Sequence, residues 1–273
     1  MKPFLKLMRP LNCLISSFSV PIVMITLLGT DFIYYQILFY TSIGMAVVFF
    51  FTAAGNTLND YMDRETDKIN HPERPIPSGN IDPKTALGYS MIMFGAGIVL
   101  SFLLERWIPQ IIVISAVLLM IAYETRFKKE GLEGNIIISA LTGMVFIFGG
   151  SIYGELHLPI LLGLLAFLAT VGREIVKDIQ DLKGDINRNT FPMRVGPEKA
   201  EMTAVGFILG AIILSPFPYI FNLLSIYYLG VVIVADAIFI YSLLLLKSPK
   251  RSQRFIKFAM VVALIAFLTG GLI

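Results

Sequence analysis

The chain has one cysteine, Cys13, two histidines, His71 and His157, and one tryptophan in 273 residues. A single thiol cannot close an intramolecular disulfide, and two histidines with one cysteine do not make up an ordinary zinc site. Charge is scarce as well. Only 15% of residues are Asp, Glu, Lys or Arg against 56% hydrophobic, with a mean hydropathy of +0.77. Soluble domains carry roughly 25% charged residues, so a water-soluble globule is excluded. Also missing is the short apolar-polar alternation of barrel strands. The apolar runs are continuous and long, which predicts spanning helices.

What is present is an all-α, polytopic pattern: nine spans in one bundle, one domain over 1–273. They fall at about Asn12–Leu28, Ile37–Leu58, Ala86–Leu104, Ile108–Ala122, Asn135–Ile152, Leu158–Ile175, Met202–Leu214, Leu224–Leu246 and Phe255–Leu272. The fourth and seventh are short for a hydrocarbon core of about 30 Å. Lys2, Lys6 and Arg9 precede the first run, but no small-residue cleavage site follows Leu28, so the first helix is expected to be retained. With nine spans, 21 of the 22 basic residues fall on one side, only Arg106 lying opposite. The positive-inside rule then predicts an integral cell membrane protein with the N-terminus and the long loops, about Tyr61–Thr85 and Gln180–Glu201, in the cytoplasm and the C-terminus outside.

Charge breaks the second apolar run at NDYMDRETD, Asn59 to Asp67. On a continuing helix Asp60, Asp63 and Asp67 stand at i, i+3 and i+7 on one face, with Asn56 one turn earlier. The end of the sixth span, REIVKDIQDLKGD, repeats the spacing in Asp178, Asp181 and Asp185, with Glu174 one turn earlier. The two stripes are related by a constant offset of 118 residues. Spans 1–4 and 5–8 therefore read as a pseudo-repeat with span 9 appended. One stripe alone would be explained by salt bridges to nearby basic loops; two in register ask for a shared ligand. Six carboxylates without imidazole or thiolate suit a hard cation, Mg²⁺, which is usually completed by substrate phosphate oxygens. A diphosphate between two Mg²⁺ ions would bridge the stripes.

The pair NDYMDRETD and KDIQDLKGD resembles the two aspartate-rich motifs of the UbiA superfamily of intramembrane prenyltransferases, approximately NDxxDxxxD and DxxDxxxD. Span number and motif positions agree along essentially the whole chain. The resemblance implies that Asn59, Asp60, Asp63 and Asp67, with Asp178, Asp181 and Asp185, hold Mg²⁺ and the diphosphate of an isoprenyl donor whose tail lies between helices. Asn56 and Glu174 follow from the register and not from the family pattern.

Loss of diphosphate from an allylic carbon leaves negative charge on the leaving group, for which Lys68, Arg74, Lys177, Arg126 and Lys128 are the candidate cations. Tyr61 and Tyr123 are candidates to stabilise the allylic cation over a ring face. Arg9, Asn12, Lys129 and Arg194 are candidates for the acceptor. Asp236, mid-span, should face a cavity or a partner and not lipid. The opening LMRPLN is similar to the archaeal ether-lipid branch of the superfamily. That similarity implies geranylgeranyl transfer from geranylgeranyl diphosphate to geranylgeranylglyceryl phosphate, a lipid acceptor. An aromatic or quinone precursor (4-hydroxybenzoate or naphthoate type) is the alternative acceptor, and a cation-coupled transporter the alternative class. The expected partners are donor, acceptor and bilayer, with no nucleic acid.

Overall fold

The computed structural model describes residues 2–29, 34–182 and 189–272. In chain order its helices are α1 (Lys2–Met8), α2 (Pro10–Ser17), α3 (Ser19–Leu28), α4 (Tyr35–Met62), α5 (Arg64–Asn70), α6 (Pro83–Ser101), α7 (Trp107–Thr125), α8 (Gly131–Ser151), α9 (His157–Asp181), α10 (Phe191–Val195), α11 (Pro197–Leu214), α12 (Phe217–Ile220), α13 (Ile226–Leu244) and α14 (Pro249–Leu272). Among the described residues nine segments are long and apolar enough to cross a membrane, in the expected order.

Several boundaries lie beyond the expected ones, while the eighth span is shorter, with α13 at Ile226–Leu244 against an expected Leu224–Leu246. Hydropathy ends the second span at Leu58 and the sixth at Ile175, whereas α4 runs to Met62 and α9 to Asp181. Carboxylates spaced along one helical face do not interrupt the backbone ladder, so hydropathy stops before the helix does. The two short spans are also longer than expected: α7 has 19 residues, and the seventh span extends from Pro197 to Ile220. The loop expected over Tyr61–Thr85 contains α5 and ends at Asp82, whose carboxylate accepts from the backbone N–H of Lys84 (2.9 Å) and Thr85 (3.2 Å) and caps α6 behind Pro83.

Helix α9 is central, packing on α8, α11 and α14. Between helices in lipid there is little hydrophobic driving force, so close approach of backbones does the work. At the α8–α9 crossing a methyl group on Gly143 would lie 2.7 Å from the Gly163 carbonyl oxygen, and one on Gly163 2.8 Å from that of Gly143. Val171, Ile175 and Val176 of α9 fill the contact with Ala204 and Ile208 of α11 and Ile256 of α14. Outward faces carry exposed Trp107, Leu118, Ile213 and Leu244, a surface suited to lipid. The helices enclose a cavity of about 620 Å³, and the ends of α4, α7 and α9 bring their polar residues to one end of it.

Candidate active site

The first stripe survives a break in its helix. The Asp63 N–H reaches the Asn59 carbonyl at 2.9 Å and the Asp67 N–H the Asp63 carbonyl at 2.8 Å, so helical register passes through the joint between α4 and α5. Asp60 and Asp67 are buried, and both are neutralised. Arg9 Nη2 lies 2.5 Å from Asp60 Oδ1; Arg74 Nη1 lies 2.6 Å from Asp67 Oδ2 and 3.4 Å from Asp60 Oδ1. Arg9 occupies the left-handed region (φ 54°, ψ 66°) immediately before Pro10. A non-glycine residue there is uncommon and costs energy, and the turn directs the guanidinium at Asp60. One turn deeper, Asn56 Nδ2 donates to the Met8 carbonyl at 2.8 Å and ties α4 to the end of α1.

Asp63 is held from a third element. Lys128 Nζ lies 2.8 Å from Asp63 Oδ2 and 2.9 Å from Glu124 Oε2. The other Glu124 oxygen accepts from Asn59 Nδ2 at 3.0 Å. The Lys128 and Glu124 side chains are only 8% and 3% exposed, so each charge depends on the other.

On the second stripe Glu174 is buried and accepts from Arg173 and from Lys177 Nζ (3.0 Å), both on its own helix. Asp178 accepts from Asn135 Nδ2 of α8 at 2.8 Å. Asp181 stands half-buried at the end of α9, its Oδ1 3.4 Å from Gln180 Nε2. Asp185 lies outside the described residues. Thr190 is buried opposite, its Oγ1 without a partner among the described residues.

The polar end of the cavity is lined by Arg9, Asn56, Asn59, Tyr123, Glu124, Glu174 and Lys177. Several candidates are turned elsewhere. Lys68 pairs with Glu65 at 2.8 Å on the surface, and its hydrogen bond holds the Glu65 carboxyl below the usual range. Arg126 is exposed, 3.6 Å from Glu130 and against the Phe127 ring; Lys129 is exposed too. Arg194 covers Gly131 and reaches Glu133 at 3.4 Å. Asn12 is exposed on α2, and Tyr61 packs under the Arg64 guanidinium, 4.5 Å from the ring centroid, beside Leu7 and Ile76. None of these lines the cavity. Asp236 does, and its Oδ2 also accepts from Ser215 Oγ at 2.6 Å, joining α13 to the end of α11.

Three residues escaped the sequence reading: Glu124, Asn135 and Thr190. Glu124 carried a usable signal, a carboxylate in the last turn of a span at i, i+4 from Lys128. Asn135 and Thr190 carried none, because their partners are distant in sequence.

Among the described residues no three acidic, histidine or cysteine side chains gather into a ready-made metal cage. Mg²⁺ rarely needs one, being bound through one or two carboxylates with substrate phosphates. Asp60 and Asp67 converge on one point of positive charge, the Arg74 Nη1 nitrogen. Two hard oxygens directed at one cation are the donor set that Mg²⁺ takes, so the residues fit the ion.

The model of the UbiA prenyltransferase family matches residues 17–268. The chain belongs to that family. It is an integral membrane protein and a prenyltransferase by that membership. Among similar proteins is the digeranylgeranylglyceryl phosphate synthase of Methanosphaera stadtmanae, 40% identical over 280 residues that cover 100% of both chains. The synthase of the same name from Methanothermobacter thermautotrophicus is 39% identical, covering 99% of this chain and 96% of its own. A solved structure described as digeranylgeranylglyceryl phosphate synthase in membranes superposes with a TM-score of 0.89 at 35% identity, covering 99% and 98% of the two chains. A UbiA homologue from Archaeoglobus fulgidus bound to GPP and Mg²⁺ has a TM-score of 0.70 at 20% identity over 96% and 99%, a likeness of fold.

Proposed function

We propose that this chain transfers a geranylgeranyl group from geranylgeranyl diphosphate to the free hydroxyl of geranylgeranylglyceryl phosphate, releasing diphosphate, in archaeal ether lipid synthesis. The observation that carries the reading is one apolar cavity whose polar end is lined by Asn56 and Asn59 of the first stripe, Glu174 of the second, and the cations Arg9 and Lys177. The choice of a lipid acceptor is supported by the name that relatives about 40% identical over their full length bear. By the basic-residue partition, the N-terminus and this mouth face the cytoplasm and the C-terminus faces outside.

Asp60, Asp63 and Asp67 on one stripe and Asp178 and Asp181 on the other would hold two Mg²⁺ ions, which supply neutralisation of charge on the departing diphosphate. Arg9, Arg74 and Lys128 each engage an aspartate of the first stripe and Lys177 engages Glu174, and each has N–H groups that would turn to diphosphate oxygens. Tyr123 lines the cavity at the junction of polar and apolar parts, where a ring face screens an allylic cation. Deeper walls such as Val47, Phe51, Met120 and Phe148 take the prenyl tail and exclude water, so that the carbon meets the acceptor and not a solvent molecule.

The deciding experiment offers the purified protein geranylgeranyl diphosphate and Mg²⁺ with geranylgeranylglyceryl phosphate, 4-hydroxybenzoate or a naphthoate. Ether formation with the glyceryl phosphate alone is the expected outcome, lost in excess chelator. Exclusive transfer to an aromatic ring would overturn the lipid reading.

A further inference from the structure

Joining a hydroxyl to an allylic carbon releases a proton, and the residues assigned above leave its destination open. Among the described residues, three carboxylates line the main cavity: Glu124, Glu174 and Asp236. None of the stripe aspartates does. Asp236 lies mid-helix in α13, about 12 Å along it from Leu244, between the apolar Val232 and Phe239, and its Oδ2 already accepts from Ser215 Oγ. Glu124 has both oxygens committed, one to Asn59 and one to a nearly buried Lys128 that also holds Asp63, so it fixes the first stripe in place.

Glu174 differs from both. Its partners come from its own helix, with Arg173 22% and Lys177 40% exposed, so both can turn toward a diphosphate while the helices stay packed. It also borders two spaces at once. One is the main cavity; the other is a polar recess of about 20 Å³ lined with Lys128, Asn135, Lys177, Asp178 and Thr190. That recess has room for one water, which needs two or more polar partners. The Thr190 hydroxyl, buried and with no partner among the described residues, is one of them.

We infer that Glu174 accepts the proton of the acceptor hydroxyl, with the recess beside Thr190 as its way out. The inference rests on the prenyltransferase reading. The C1–O bond of the donor breaks and its electron pair leaves with diphosphate. The acceptor oxygen forms the ether bond to C1, and its proton passes to a Glu174 carboxylate oxygen. The carboxylic acid then returns the proton to water in the recess, and no oxidant or reductant is required.

The test compares wild type with Glu174→Gln using geranylgeranyl diphosphate labelled with ¹⁸O at the bridging position. Ether formation reports the whole reaction, and migration of the label to a non-bridging position reports ionisation of the C1–O bond alone. Folding is monitored by melting with and without donor. The variant should lose ether formation by about 10²- to 10⁴-fold, the usual contribution of a positioned base, while label migration continues within about threefold of wild type. Ether formation at the wild-type rate, or equal loss of both signals, overturns the assignment. If Glu174→Gln does not hold its fold, Glu174→Asp takes the test: ether formation reduced relative to migration supports the inference, and an unchanged ratio overturns it. Failure of the wild type to make ether at all would instead strike the parent reading.

Discussion

The two acidic stripes share a spacing and differ in what neutralises them. Asp60, Asp63 and Asp67 are gripped by Arg9 from before α2, Arg74 from the segment after α5 and Lys128 from beyond α7, three elements far apart in sequence. Of the second stripe's described partners, Arg173 and Lys177 are on α9 itself and Asn135 is a neutral amide. The first stripe is therefore a junction whose geometry needs the assembled bundle. In the second, the charge partners of Glu174 lie on its own helix. The same residue pattern thus gives one half tied to three distant elements, and another whose cavity-lining base candidate, Glu174, is paired within its own helix.

The largest expected effect tests whether the halves work as one site. Asp60→Ala and Asp181→Ala should each lower turnover by at least about 10³-fold, as loss of charge stabilisation at a leaving group does, with both variants eluting as folded protein in detergent. Near-normal turnover in either would separate that stripe from the chemistry. The next prediction sets the two lysines against each other. Lys128→Met leaves Glu124 buried and unpaired and should destabilise by about 3–5 kcal/mol, seen as a lower melting temperature. Adding Glu124→Gln should restore most of it. Lys177→Met, at 40% exposure, should cost less than about 1 kcal/mol; equal losses would erase the contrast.

Asn135→Ala removes one hydrogen-bond donor from Asp178 and should cost about 1–3 kcal/mol in the same melting assay. The smallest effects belong to Lys68→Ala and Arg126→Ala. Both side chains are exposed with only surface partners, so each should stay within about 0.5 kcal/mol of wild type. A large loss of turnover in either would return it to the site.

Much of this was legible in order along the chain. Nine spans follow from hydropathy because each must bury its backbone in a self-satisfied helix. The aspartates at i, i+3 and i+7 announce a shared face wherever the helix continues. Choosing among basic residues was different. Lys68 adjoins the stripe in sequence and pairs with Glu65, while Arg9, fifty-one residues before Asp60, reaches it. Proximity along the chain is a poor guide once helices end in turns, and nothing local distinguishes Arg126, exposed, from Lys128, buried two residues later.

The sequence by itself determined that this is a nine-span helical membrane protein with two matched acidic stripes, since apolar length and helical periodicity are properties of a single segment. Only the tertiary structure decided which cations hold the described stripe residues, that Glu124 and Asn135 brace them, and that Glu174 faces the cavity while the stripe aspartates among the described residues do not line it. Those outcomes depend on which side chains meet across helices, and burial makes each such meeting consequential: a charge left without its partner there costs several kcal/mol.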